Sequence, residues 1–114
     1  MIKDLTDETF KKKIFNYEEG EDAPLLIPQN TVIEFWVTWC PHCQAMRPRF
    51  EKVSQLHSDI DFYRIEMEDY PELADLFNIS GFPTFVFLSP DGTLHRTSGE
   101  MSSQELEENI EEAF

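Results

Sequence analysis

Cysteine is scarce in this chain of 114 residues, which has only Cys40 and Cys43. A disulfide between them would close a loop of only four residues, which removes little entropy from the unfolded chain. A structural zinc site needs four ligands, and His57 and His95 lack zinc-like spacing relative to the pair. We therefore expect no bound metal, and the cysteines call for a chemical explanation rather than a structural one.

Positive charge and long hydrophobic runs are also scarce. The chain has 9 Lys and Arg against 23 Asp and Glu, a net charge of −14. Such a surface repels phosphate backbones, which argues against nucleic-acid binding. No run approaches the ~20 apolar residues of a membrane-spanning helix, and the N-terminus lacks the apolar core of a signal peptide. We expect a cytoplasmic protein without membrane contact, or a periplasmic or secreted one if a leader was removed.

Length and patterning predict a single domain over residues 1–114, which we expect to be a monomer. Runs of β-branched and aromatic residues alternate with helical patterns. Two β–α–β crossovers imply parallel strands and a final hairpin adds antiparallel ones, so an α/β fold with a mixed sheet of four or five strands and helices on both faces is expected. Helices are predicted at 7–15, 41–57, 70–77 and 103–113, and strands at 31–38, 60–67, 82–88 and 93–98.

The segment Trp39-Cys40-Pro41-His42-Cys43 lies between a predicted strand and a predicted helix. Free N–H groups and the positive end of the helix dipole should lower the pKa of a thiol at that position. We expect Cys40 to be the exposed attacking thiol and Cys43, one turn on, to be the resolving thiol. Pro41 suits the first helical turn, and His42 would stabilise the Cys40 thiolate, which makes the disulfide a stronger oxidant.

Two more residues stand out near this segment. Glu34 is the one charge in an otherwise apolar strand, so we expect it to be buried, with a raised pKa and the capacity to shuttle a proton. Pro83 opens a later strand, either as an ordinary strand-start proline or as a cis-proline, and the residues alone leave both readings open.

The chain contains the motifs Phe35-Trp36-x-x-Trp39-Cys40-x-x-Cys43, Pro48, Gly81-Phe82-Pro83-Thr84-Phe85, Gly92 and Gly99. Together these motifs resemble the thioredoxin family over roughly residues 5–113. The resemblance implies the thioredoxin fold, the buried acid of the family at Glu34 and its cis-proline at Pro83. It also implies that the Phe82 backbone binds extended substrate, that Trp36 and Trp39 flank the site, and that Gly81, Phe82 and Gly99 line a flat apolar groove.

The sequence departs from the family pattern at two places. Pro41-His42 replaces the usual Gly-Pro and is similar to the dipeptide of periplasmic disulfide-forming oxidants. Arg64 stands where many thioredoxins have lysine, and it would hold Glu34 more firmly ionised.

The leading hypothesis is a protein thiol–disulfide oxidoreductase that acts through Cys40 and Cys43 as a thioredoxin-type reductant. Its expected partners are protein substrates with disulfides or thiols, and a recycling enzyme similar to thioredoxin reductase. No cofactor is expected beyond the cysteine pair itself. The alternatives are a disulfide-forming oxidant or isomerase, favoured by Pro41-His42, a redox relay dedicated to one partner, and a binding module built on the same scaffold.

Overall fold

A five-stranded sheet forms the centre of the structure, a computed structural model that describes residues 2–20 and 22–114. The strands are β1 (Ile2–Leu5), β2 (Thr31–Trp36), β3 (Asp61–Glu66), β4 (Thr84–Leu88) and β5 (Leu94–Ser98). The helices are α1 (Asp7–Lys13), α2 (Pro41–Ser54), α3 (Pro71–Leu76) and α4 (Ser103–Ala113), and a 3-10 turn at Tyr17–Glu19 lies between α1 and β2.

The strand order is β1-β3-β2-β4-β5. β3 runs parallel to both β1 and β2, whereas β4 is antiparallel to β2 and β5. The predicted mixed sheet and its terminal hairpin are thus confirmed. The second of the two predicted β–α–β crossovers was wrong, because α3 leads from β3 to a strand, β4, that runs antiparallel to β2; the other parallel pair is β1 with β3. β1 was not predicted, because its sequence Ile-Lys-Asp-Leu has two charged residues and one buried side chain, Leu5. As an edge strand it depends on pairing with β3 rather than on its own pattern.

Two apolar cores lie on opposite faces of the sheet, because successive strand side chains point to opposite sides. Ile33 and Phe35 of β2 pack with Phe10 of α1 and Leu73 of α3. The core on the other face is formed by the alternate residues of the strands, which pack against α2 and α4. Its fully buried members include Val32, Met46, Phe50, Phe62, Phe85 and Leu106. Both faces of the sheet are therefore covered by helices, as expected.

Side chains cap the N-terminal ends of two helices. Thr6 caps α1, and Ser102 caps α4 through a capping box with Glu105, in which Ser102 Oγ accepts from Glu105 N at 3.1 Å. The predicted end of α2 was wrong: the helix ends at Ser54, not at 57. Leu56, which the predicted range included, is 65% exposed because it lies beyond the last turn that packs on the sheet.

None of the helices among the described residues is long and apolar enough to cross a membrane.

Candidate active site

Cys40 and Cys43 form a disulfide at the start of α2, with their Cα atoms 5.2 Å apart. Cys40 is the N-cap of the helix, and its Sγ accepts a hydrogen bond from the Cys43 N–H at 3.1 Å. Pro41 follows as the first helical residue, where no N–H is needed. The Cys40 sulfur, which would carry the negative charge of the thiolate after reduction, therefore already accepts a first-turn N–H at the positive end of the helix.

The expected exposure of Cys40 is not observed in this disulfide form. Cys40 is 5% exposed and Cys43 is 1% exposed. The Cys40 Sγ lies 3.6 Å from the Phe82 carbonyl oxygen, so the segment before β4 covers it from one side. Cys40 is still the more accessible of the two cysteines.

The loop between β2 and α2 presents Trp39 to solvent. Its side chain is 70% exposed and meets the Phe82 ring edge-to-face, with the ring centroids 6.4 Å apart. Glu68, after β3, holds this loop by accepting from the Thr38 N–H at 3.2 Å and from the Thr38 hydroxyl. Those hydrogen bonds keep the pKa of the Glu68 carboxyl below its usual range. Trp39 is thus an exposed aromatic side chain on a fixed loop beside the disulfide.

The second loop at the site contains Gly81, Phe82 and Pro83. The Phe82–Pro83 peptide bond is cis, which is the alternative that the residues alone left open. Gly81 and Phe82 are partly exposed, and Pro83 is buried. The Pro83 carbonyl oxygen accepts from the Gly99 N–H at 2.8 Å, so this bond brings the end of the β4–β5 hairpin to the same place. The residues expected to line the groove therefore meet beside Cys40.

Glu34 lies in the middle of the sheet, fully buried. It is paired across the strands with Arg64, whose Nε–H donates to Glu34 Oε1 at 2.9 Å. The guanidinium of Arg64 also stacks 4.3 Å from the centre of the Trp36 ring. Burial raises the pKa of the Glu34 carboxyl, and the hydrogen bond from Arg64 opposes that shift without cancelling it. Glu34 Oε2 has no hydrogen-bond partner within residues 2–20 and 22–114.

A polar cluster next to His42 was not predicted from the sequence. His42 Nδ1 lies 2.9 Å from Glu100 Oε1, and Arg49 donates through Nη1 to Glu100 Oε2 at 3.0 Å. Glu100 directly follows Gly99, and Arg49 lies two turns along α2 from His42. Sequence spacing does not indicate this cluster, because Glu100 is 58 residues from His42 and 51 residues from Arg49.

Comparison with known proteins agrees with this geometry. A family model described as thioredoxin matches residues 1–112. The chain belongs to the thioredoxin family. It is 27% identical over 111 residues to a thioredoxin of Borreliella burgdorferi, an alignment that covers 96% of this chain and 95% of that protein. It is 32% identical over 115 residues to the chloroplastic thioredoxin Y2 of Arabidopsis thaliana, covering 96% of this chain and 65% of the relative.

Solved structures show the same fold. The structure of thioredoxin f from spinach chloroplast superposes with a TM-score of 0.78 at 23% identity, covering 98% of this chain and 92% of that chain. A thioredoxin from Malassezia sympodialis gives a TM-score of 0.76 at 25% identity, covering 99% and 90%. With the Cys40–Cys43 pair in place, this thioredoxin-family chain is a thiol–disulfide oxidoreductase.

Metal chemistry has no candidate site in the part of the chain that the structure describes. No three His, Cys, Asp or Glu side chains there are grouped so that they could hold an ion. Thioredoxins work without a cofactor, and their redox group is the cysteine pair itself.

Proposed function

We propose that this thioredoxin works as a reductant of protein disulfides, with Cys40 as the attacking thiol and Cys43 as the resolving thiol. The observation that carries the assignment of roles is the position of Cys40 Sγ, which caps α2 and accepts the Cys43 N–H at 3.1 Å. A thiolate at that atom is stabilised by the helix terminus, whereas Cys43 lies inside the helix and is more deeply buried.

The reaction proceeds by two exchanges. The Cys40 thiolate attacks one sulfur of the substrate disulfide, so the substrate S–S bond breaks and a mixed disulfide forms while one substrate thiolate leaves. The Cys43 thiolate then attacks the Cys40 sulfur, which breaks the mixed disulfide and releases the second substrate thiolate. Two electrons pass to the substrate, and the two protons of the dithiol end on the substrate thiols.

Glu34 is proposed to exchange a proton with Cys43 during the second step. A carboxyl with a raised pKa takes up and releases a proton near neutral pH more readily than an exposed one does. Arg64 limits that effect, since its hydrogen bond favours the ionised carboxylate. His42 and Pro41 are proposed to tune the Cys40 thiolate rather than to take part in bond making.

Substrate is proposed to bind beside the disulfide as an extended segment. The Phe82 backbone would pair with it in a strand-like way, and Trp39, Gly81 and Gly99 would supply a flat surface. Support comes from the exposed Trp39 ring against Phe82 and from the Gly99–Pro83 hydrogen bond that assembles the two loops.

A reductant needs a source of electrons. We propose that a reductase of the thioredoxin-reductase kind recycles the disulfide, in a reducing compartment such as the cytoplasm. We propose that the protein acts as a monomer and reduces disulfides in more than one protein substrate.

Trapping experiments test the assignment of roles. A Cys43→Ser variant should accumulate a mixed disulfide with insulin, because Cys40 can attack but nothing resolves the product. A Cys40→Ser variant should neither reduce insulin nor form that adduct. Trapping by Cys40→Ser and not by Cys43→Ser would reverse the two roles.

A further inference from the structure

We propose that the carboxylate of Glu100, which is held by His42 and Arg49, opposes negative charge on Cys40 and so lowers the reduction potential of the cysteine pair. This inference rests on the proposed reductant function, because it explains how a chain with His42 between its cysteines remains reducing. It assigns a role to a residue of the loop after β5 that no sequence motif marks.

The geometry places Glu100 between two basic side chains of α2. Its Oε1 is 2.9 Å from His42 Nδ1, and its Oε2 accepts from Arg49 Nη1 at 3.0 Å. Arg49 Nη1 also donates to the Met101 carbonyl oxygen at 3.0 Å, which fixes the guanidinium against the same loop. One carboxylate therefore bridges the active-site dipeptide and the second turn beyond it.

Glu100 is ionised at neutral pH. The hydrogen bond to His42 first, and then the one to Arg49, holds the pKa of its carboxyl below the usual range. Because an ionised carboxylate only accepts hydrogen bonds, Nδ1 of His42 must carry a proton. Arg49 is permanently charged.

The charges of this cluster act on Cys40 in opposite directions. Positive charge from Arg49 stabilises a thiolate at Cys40, which favours the reduced form and makes the disulfide more oxidising. The negative charge of Glu100, in contact with the His42 ring between the two cysteines, offsets that effect. Loss of the Glu100 charge should thus raise the reduction potential.

The test is the equilibrium with glutathione, in which two glutathione thiols reduce the Cys40–Cys43 disulfide and become oxidised glutathione. Glu100→Gln keeps an oxygen acceptor for His42 Nδ1–H and removes only the charge. We expect its equilibrium constant for reduction to rise about threefold, which corresponds to about 14 mV. The shift should shrink in 0.5 M salt, since the cluster is partly exposed.

Two further variants separate this effect from a structural one. Arg49→Met removes a positive charge from the same cluster, so its constant should fall rather than rise. Glu111→Gln removes an equal charge from an exposed residue near the C-terminal end of α4, and its constant should stay near wild type. The proposal is overturned if Glu100→Gln matches Glu111→Gln, or if Glu100→Gln and Arg49→Met shift in the same direction.

These outcomes are distinct from those that test the reductant role. A wild-type potential at the oxidant extreme would contradict that role, while the shift caused by Glu100→Gln would still decide the part played by Glu100. A reducing wild type without the shift would overturn the inference about Glu100 alone.

Discussion

Glu34 is the residue whose environment departs most from that of an ordinary side chain of its type. It was expected to be buried with a raised pKa, and the structure has it fully buried, with its pKa raised by that burial. Arg64 was expected to hold it ionised, and its hydrogen bond does act in that direction but does not prevail. A carboxyl in this state links the stability of the fold to pH.

The sign of that linkage follows from the raised pKa. The neutral form of Glu34 is favoured in the folded state, so its contribution to stability is full below the ordinary carboxyl pKa and is lost as pH rises through the raised value. Glu34→Gln cannot titrate. We therefore expect wild type to lose stability relative to Glu34→Gln between pH 5 and pH 8, measured by urea unfolding at both pH values.

Glu105→Gln is the matched control for this experiment. The hydrogen bonds from Ser102 lower the pKa of Glu105, so that carboxyl is ionised in both states across the same pH range. Its difference from wild type should stay nearly constant. If wild type gained stability relative to Glu34→Gln as the pH rose, the raised pKa of Glu34 would be contradicted.

At the scale of elements, α2 connects the reactive end of the molecule to its core. Its first turn carries the cysteines, and its later turns bury Met46, Phe50 and Val53 against the sheet. The Phe50 ring lies 5.6 Å from that of Phe62 and 5.5 Å from that of Phe85. The cysteine geometry therefore depends on packing two to three turns away.

Phe50→Ala tests how much this packing of α2 against the sheet stabilises the fold. Truncating a fully buried phenylalanine should lower the free energy of unfolding by about 3–5 kcal/mol. Leu56→Ala is the control, because Leu56 lies beyond the end of α2 and is mostly exposed, and it should change stability by about 0.5 kcal/mol or less. Chemical denaturation of the oxidised protein measures both. Equal losses in the two variants would contradict the assigned end of the packed helix.

The cap of α4 provides a smaller and equally specific test. Ser102 Oγ accepts the Glu105 N–H, and Glu105 Oε1 accepts the Ser102 N–H at 3.0 Å. Ser102→Ala should cost about 1 kcal/mol. Ser103→Ala, at the first helical residue, keeps both bonds and should cost much less, and chemical denaturation of the two variants measures the difference.

Sequence patterns predicted most elements of the fold but not all of the site. The helices and the strands β2 to β5 follow from local periodicity and from residues a few positions apart. β1 was missed because an edge strand of four residues depends on pairing with its neighbouring strand. The His42–Glu100–Arg49 cluster was missed because its residues are far apart in the sequence and meet only in the folded chain. The burial of Cys40 likewise reflects Phe82, which is 42 residues away.

At the scale of the whole molecule, the chain carries a net charge of −14, and its active site must meet other proteins. Residues 51–114 carry 15 acidic and 3 basic side chains, so most of the negative charge belongs to the second half of the chain. Such a field attracts cationic reactants and repels anionic ones, and salt screens both effects.

Two small disulfides of opposite charge test this field. Cystamine is cationic and oxidised glutathione is anionic. The quantity to compare is the rate of the reduced protein with cystamine divided by its rate with oxidised glutathione. We expect this ratio to fall severalfold between 10 mM and 500 mM salt. Stopped-flow measurement of tryptophan fluorescence gives both rates. A ratio that does not depend on salt would show that the net charge has no influence at the site.

We have proposed that this protein is a reductant even though Pro41-His42 lies between its cysteines. The decisive measurement is the reduction potential of the Cys40–Cys43 pair, obtained by equilibration with glutathione. We expect a value nearer the reductant figure of about −270 mV than the oxidant figure of about −120 mV, together with reduction of insulin disulfides. A potential near the oxidant figure, with no reduction of insulin, would contradict it.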